Sequence, residues 1–137
     1  MPVTTAKQLS VFLENRPGVL AKVCRTLAAE KVSLKGVSVS DSVDHAVVRV
    51  VVDKPGKARR VFEDHNLLVI ETEVLAVSIP DKPGELGKVA GRLSRAKLNI
   101  SYLYGSAQGE SPHGTLYMRV EASRAKVLKA LKGLKGI

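Results

Sequence analysis

The chain has a single cysteine, few aromatic residues and no long apolar run. Cys24 alone cannot form an internal disulfide, so no covalent link supports the fold. One unpaired thiol fits a reducing compartment. Aromatic side chains make up 4% of the 137 residues, so a base-stacking surface is poorly provided. No stretch approaches the ~20 apolar residues that cross a bilayer. The opening Met1-Pro2-Val3-Thr4-Thr5-Ala6-Lys7 lacks the basic and then apolar order of a secretory signal. A soluble cytoplasmic protein with no membrane partner is the expectation. No Ser-His-acid set stands out in chain order. The histidines and the cysteine do not cluster at metal-ligand spacing. Neither an enzyme nor a bound metal or other cofactor is expected.

Acidic residues are also in the minority. Lys and Arg number 22 against 13 Asp and Glu, for a net charge of +9. The balance favours acidic ligands or partners. Much of it lies in two solvent-facing helical stretches. Lys54, Lys57, Arg59 and Arg60 form one; Arg124, Lys126, Lys129, Lys132 and Lys135 form the other. A soluble helix face accounts for such charge. Cys24 falls on an inward helical stripe and reads as core rather than nucleophile.

What the chain does have is a repeat. Asn15-Arg16-Pro17-Gly18-Val19-Leu20 returns as Asp81-Lys82-Pro83-Gly84-Glu85-Leu86, a shift of 83 − 17 = 66 residues. Leu9, Val11 and Leu13 precede the first copy; Leu75, Val77 and Ile79 precede the second. Lys22, Val23 and Leu27 recur as Lys88, Val89 and Leu93. Two copies of one small unit follow, residues 1–71 and 72–137. A unit of about 70 residues buries a modest core and needs support from its neighbour or from a second chain.

Period-2 alternation over 8–13 predicts a strand, and the spacing of Leu20, Val23, Cys24 and Leu27 predicts a helix behind Pro17. A strand over 33–40 slips its alternation at Gly36, a mark of a bulge or a close backbone contact. Residues 46–52 are apolar on both faces apart from Arg49 and read as a central strand. Pro55-Gly56 opens a helix carrying Ala58, Val61 and Phe62, and 67–70 returns as a strand. The second copy repeats the plan: strands over 74–79, 100–106 and 115–120, with helices over 83–96 and 125–131. Leu86, Val89, Ala90 and Leu93 are expected to face inward. Tyr102, Tyr104 and Tyr117 line a pocket or pack together, and packing is the stronger reading. The order is β-α-β-β-α-β twice, an α+β fold of two ferredoxin-like units. Leu134 to Ile137 make poor strand material, so the second unit's last strand is truncated. Such an edge stands open to a partner, and a homodimer is expected.

The two Pro-Gly turns are the candidate sites. Each leads into a helix whose first N–H groups lack partners and whose dipole favours negative charge. A carboxylate suits that place. Asp81 and main-chain carbonyls would accept from an ammonium group, and Asn15 can both donate and accept.

Strand, Asn15-Arg16-Pro17-Gly18-Val19-Leu20, helix and Val32-Ser33-Leu34 together resemble an ACT domain. Asp81-Lys82-Pro83-Gly84-Glu85-Leu86 followed by Leu98-Asn99-Ile100 resembles it more closely. The resemblance spans nearly all of residues 7–132 and is similar to small stand-alone tandem ACT proteins that carry no catalytic domain. It implies reversible binding of an amino acid or related carboxylate between paired units. On that resemblance the ligand residues are Asn15, Arg16, Pro17, Gly18, Val19 and Leu20 in the first copy. In the second they are Asp81, Lys82, Pro83, Gly84, Glu85 and Leu86, with Asn99 at the start of the following strand. The first copy departs from the pattern at Asn15, where an acid is usual, and at Ser33, which stands in the place of Asn99. The implied partner is a separate regulated enzyme or transporter. The alternative is a basic ferredoxin-like module that binds nucleic acid, which has the charge but lacks the aromatic strand motif of single-strand RNA recognition.

Overall fold

A computed structural model describes residues 3–41, 44–106 and 112–134. The elements run β1 (Val3–Glu14), α1 (Val19–Ala29), β2 (Leu34–Asp41), β3 (His45–Val52), α2 (Pro55–Asp64), β4 (Leu68–Pro80), α3 (Glu85–Arg95), β5 (Ile100–Ser106), β6 (His113–Val120) and α4 (Arg124–Leu131). They form two compact units. The first is Lys7–Thr72; the second joins residues 3–6 to residues 73–134.

In the first unit the strand order is β2-β3-β1-β4. β3 pairs antiparallel with both neighbours, Leu9 opposite Val50 and Val11 opposite Val48 on one side, Val37 and Val39 opposite the same two valines on the other. Residues opposite one another share a face. Leu9, Val11 and Leu13 therefore join Val48, Val50 and Val52 in one buried cluster under Val23 and Leu27 of α1 and Ala58 and Phe62 of α2. The interior place of β3 matches its two apolar faces. The pairing register shifts between Leu34 and Gly36, as the broken alternation predicted.

The second unit repeats the order as β5-β6-β4-β1. Leu75, Val77 and Ile79 lie with Leu116, Met118 and Val120 under Val89 and Leu93 of α3 and Val127 and Leu131 of α4. Its register shifts between Ile100 and Tyr102, the bulge of the first copy displaced by 66 residues. Tyr104 pairs with Tyr117 across β5 and β6 with ring centroids 5.6 Å apart. Packing is thus their role, and burial raises the Tyr117 phenol above its ordinary 10.0.

Two expectations change. No strand follows α4 among the described residues, yet the place beside β4 is not vacant. Residues 3–6 occupy it, Val3 is 4% exposed in the second core, and Arg124 Nη2 donates to the Val3 carbonyl at 3.0 Å. β1 therefore starts five residues earlier than the alternation over 8–13 suggested. The other change is at the join. Glu71 and Thr72 do not separate two strands; they lie inside the unbroken β4. The division at 72/73 differs from that at 71/72 chiefly in giving residues 3–6 to the second unit.

Candidate ligand site

Both turns are built alike. α1 starts at Val19 and α3 at Glu85, two residues later than Pro17 and Pro83, because a glycine precedes each at positive φ. Gly18 has φ 90° and Gly84 φ 89°. Neither helix has a side-chain cap, whereas Ser123 caps α4 by accepting from the Lys126 N–H at 3.3 Å. The Lys22 N–H donates to the Gly18 carbonyl at 3.0 Å and the Lys88 N–H to the Gly84 carbonyl at 3.1 Å, and at the second turn the Glu85 N–H also donates to the Lys82 carbonyl at 3.4 Å. The N–H groups of Leu20 and Ala21, and of Leu86 and Gly87, have no acceptor among the described residues. These are the open donors of a helix start.

A Cβ at Gly84 would meet nothing within 4 Å, so only the backbone resists a side chain there. Gly84→Ala is expected to cost about 1–2 kcal/mol from the left-handed φ alone. Gly91, inside α3 with equally open space, should instead gain up to about 1 kcal/mol as alanine. Urea unfolding of the two variants checks the contrast. Equal shifts for both would show that the turn carries no strain.

Each turn is tethered to the strand pair beside it. Asp81 N–H donates to the Pro112 carbonyl at 2.9 Å, and Asn15 N–H to the Asp44 carbonyl at 3.4 Å. In the second unit this leaves a recess of about 440 Å³ between the end of β4, the start of α3, the end of β5 and the start of β6. Asp81, Lys82, Gly84 and Leu86 line it, and the Lys82 ammonium has no partner among the described residues. Leu86 was expected to face the core; it is 41% exposed and turns to the recess instead. Leu20, its counterpart, is 38% exposed. Both sit in the first helical turn, ahead of the stripe that reaches the sheet.

The remaining predicted residues lie elsewhere. Pro83 is exposed at the turn but does not line the recess. Glu85 points inward: it is 7% exposed, its Oε1 accepts from Lys88 Nζ at 3.1 Å, and its buried Oε2 has no partner among the described residues. Asn99 is exposed beyond the far end of α3, a helix of 11 residues about 16 Å long at a 1.5 Å rise per residue. There its carbonyl accepts from the Glu121 N–H at 3.2 Å, a structural link like that of the Ser33 N–H to Asp53 Oδ1 at 2.9 Å. In the first unit, Asn15, Pro17 and Gly18 are exposed at the turn. Arg16 is bound to Glu14 at 2.6 Å, and Arg16 and Val19 line a different pocket, between α1 and α2. Gly105, Ser106, His113, Gly114 and Thr115 also line the recess. Sequence reading missed them as site residues. The one hint was His113 standing 68 residues after His45 at the same strand start. No group of three or more metal-ligating side chains occurs among the described residues. No described helix is long and apolar enough to cross a membrane.

The family model described as an ACT domain pair matches residues 4–136. The chain belongs to that family. A protein from Bacteroides thetaiotaomicron of solved structure is 34% identical, with a TM-score of 0.85 over 95% of this chain and 88% of that one. The regulatory subunit of aspartate kinase from Thermus thermophilus, solved free of ligand, is similar in fold at 15% identity, with a TM-score of 0.69 over 98% of both chains. The regulatory subunit of aspartate kinase from Thermus flavus is similar at 17% identity, with a TM-score of 0.65 over 96% of this chain and 95% of that one. No curated protein matches the chain.

Proposed function

We propose that this chain is a regulatory module that senses an amino acid or related carboxylate at its Pro-Gly turns. The recess at Asp81–Gly87 carries the reading. It brings the open N–H groups of Leu86 and Gly87 and the Lys82 ammonium to the same place as the Asp81 carboxylate. Donors suit a ligand carboxylate, and Asp81 suits an ammonium group. The Asp81 turn is the principal site, because Arg16 in the first turn is already paired with Glu14. Burial of the ligand between paired units, in a homodimer, would favour one arrangement of the assembly by its difference in affinity. The likeness to aspartate kinase regulatory subunits supports a separate enzyme as the receiver of the signal.

Calorimetry of the whole chain against the twenty amino acids tests this. The expected result is saturable binding of one or a few of them. Asp81→Ala removes a charged hydrogen-bond acceptor and should weaken that binding roughly tenfold or more. Absence of any binding at millimolar ligand would refute the reading. An unchanged affinity in Asp81→Ala would refute the site.

A further inference from the structure

We infer that the first unit holds a separate site, between α1 and α2, for a small apolar monocarboxylate. The repeat supplies the argument. Val19 and Glu85 are counterparts at the shift of 66, and so are Lys22 and Lys88. In the second unit the corresponding helix position carries the chain's own carboxylate. Glu85 is buried there, with Lys88 Nζ 3.1 Å from its Oε1. Further along α3, Arg92 bridges to the end of α4 by donating to the Lys132 carbonyl at 2.8 Å.

The first unit lacks both devices. Valine at position 19 offers no carboxylate. Thr26, the counterpart of Arg92, donates its hydroxyl to the Lys22 carbonyl of its own helix at 2.8 Å. A pocket of about 200 Å³ lies open between the helices instead. Val19, Val23, Val61, Phe62 and Leu67 are among its apolar walls. Lys22 also lines it, and its ammonium has no partner among the described residues. The other strong cation, Arg16, is taken by Glu14. His65 uses Nδ1 on the Val61 carbonyl at 2.9 Å.

Apolar walls beside one unneutralised ammonium define the guest. A carboxylate on a short hydrocarbon tail supplies what Glu85 supplies in the other copy and fills the space as well. A free amino acid suits it poorly, because its ammonium group would face Lys22 with no unpaired acid nearby. The volume falls below that of drug-sized ligand sites, so the tail is short. Tail burial provides the affinity, and Lys22 discriminates acid from alcohol.

Amide NMR titration of the whole chain with hexanoate, 1-hexanol and hexylamine tests the site. Hexanoate should shift Val19, Val23 and Phe62 and bind roughly tenfold tighter than the other two. Lys22→Gln should abolish the preference for the acid and leave the weak alcohol binding. Val19→Glu, which copies the second unit, should eliminate hexanoate binding while the spectrum stays dispersed. If that variant fails to fold, Lys22→Gln and the three-ligand series decide the matter. Equal binding of acid, alcohol and amine would overturn the site, as would no shift at tens of millimolar or an intact preference in Lys22→Gln. Shifts centred on Asp81–Gly87 would also overturn it and move hexanoate to the amino-acid recess. Amino-acid binding at that recess is read independently, so either site can fail alone.

Discussion

Val3→Asp is expected to unfold the second unit and leave the first largely protected. Val3 lies seventy residues ahead of Glu73, where the larger part of that unit begins, yet it is buried with Leu75, Val77, Met118 and Val127. Burying valine contributes about 1.5–3 kcal/mol. An aspartate in its place loses that and adds several kcal/mol for an unpaired buried charge. The Arg124 guanidinium is engaged with the Val3 carbonyl rather than with the side chain. Domains are stable by only about 5–15 kcal/mol, so one such change consumes most of a small unit's margin. Hydrogen exchange read by mass spectrometry should show α3, α4, β5 and β6 losing protection while α1 and α2 keep theirs. Unchanged protection across residues 85–131 would mean that residues 3–6 do not complete the second unit.

Phe62→Ala should give the opposite pattern. Phe62 is 1% exposed and anchors α2 to the first core. Phenylalanine-to-alanine changes in cores cost about 3–5 kcal/mol from lost transfer energy and the cavity left behind. At 4 °C or more per kcal/mol, the first unit's melting temperature should fall by about 12 °C or more. The loss of exchange protection should appear in α1, α2 and β3 and not in α4. Phe62→Leu, which leaves a smaller void, should cost less. A fall of only a degree or two in Phe62→Ala would show that the α1–α2 pocket already relieves the packing there.

The repeat made most of this fold legible. The alternation of Leu9, Val11 and Leu13 put the correct face on the core, and their counterparts at 75, 77 and 79 did the same. Gly36 marked a real register shift. The partner bulge near Ser101 carried no glycine and left no mark in the sequence. Helix stripes were less well read at their first turns. Leu20 and Leu86 have the spacing of core residues, yet both are exposed in the first turn of their helices, and in α3 it is Glu85 that is buried there. The candidate site was legible as a turn and illegible as a cavity. Asp81, Lys82, Gly84 and Leu86 line one recess, while Gly105, Ser106 and His113 reach it through strand pairing with no local signal.

The amino-acid order by itself determined one β-α-β-β-α-β unit, a second copy without a last strand of its own, and the bend that opens each first helix. Those features rest on local forces: side-chain periodicity, proline's fixed φ and glycine's freedom at positive φ. Tertiary structure alone decided that residues 3–6 complete the second unit, that β4 runs unbroken through the join, and that Glu85 is buried while Val19 borders a pocket. Each of these depends on which distant segment comes to lie alongside. Strand pairing and the filling of a core are settled by neighbours far away in sequence, and no local pattern records them.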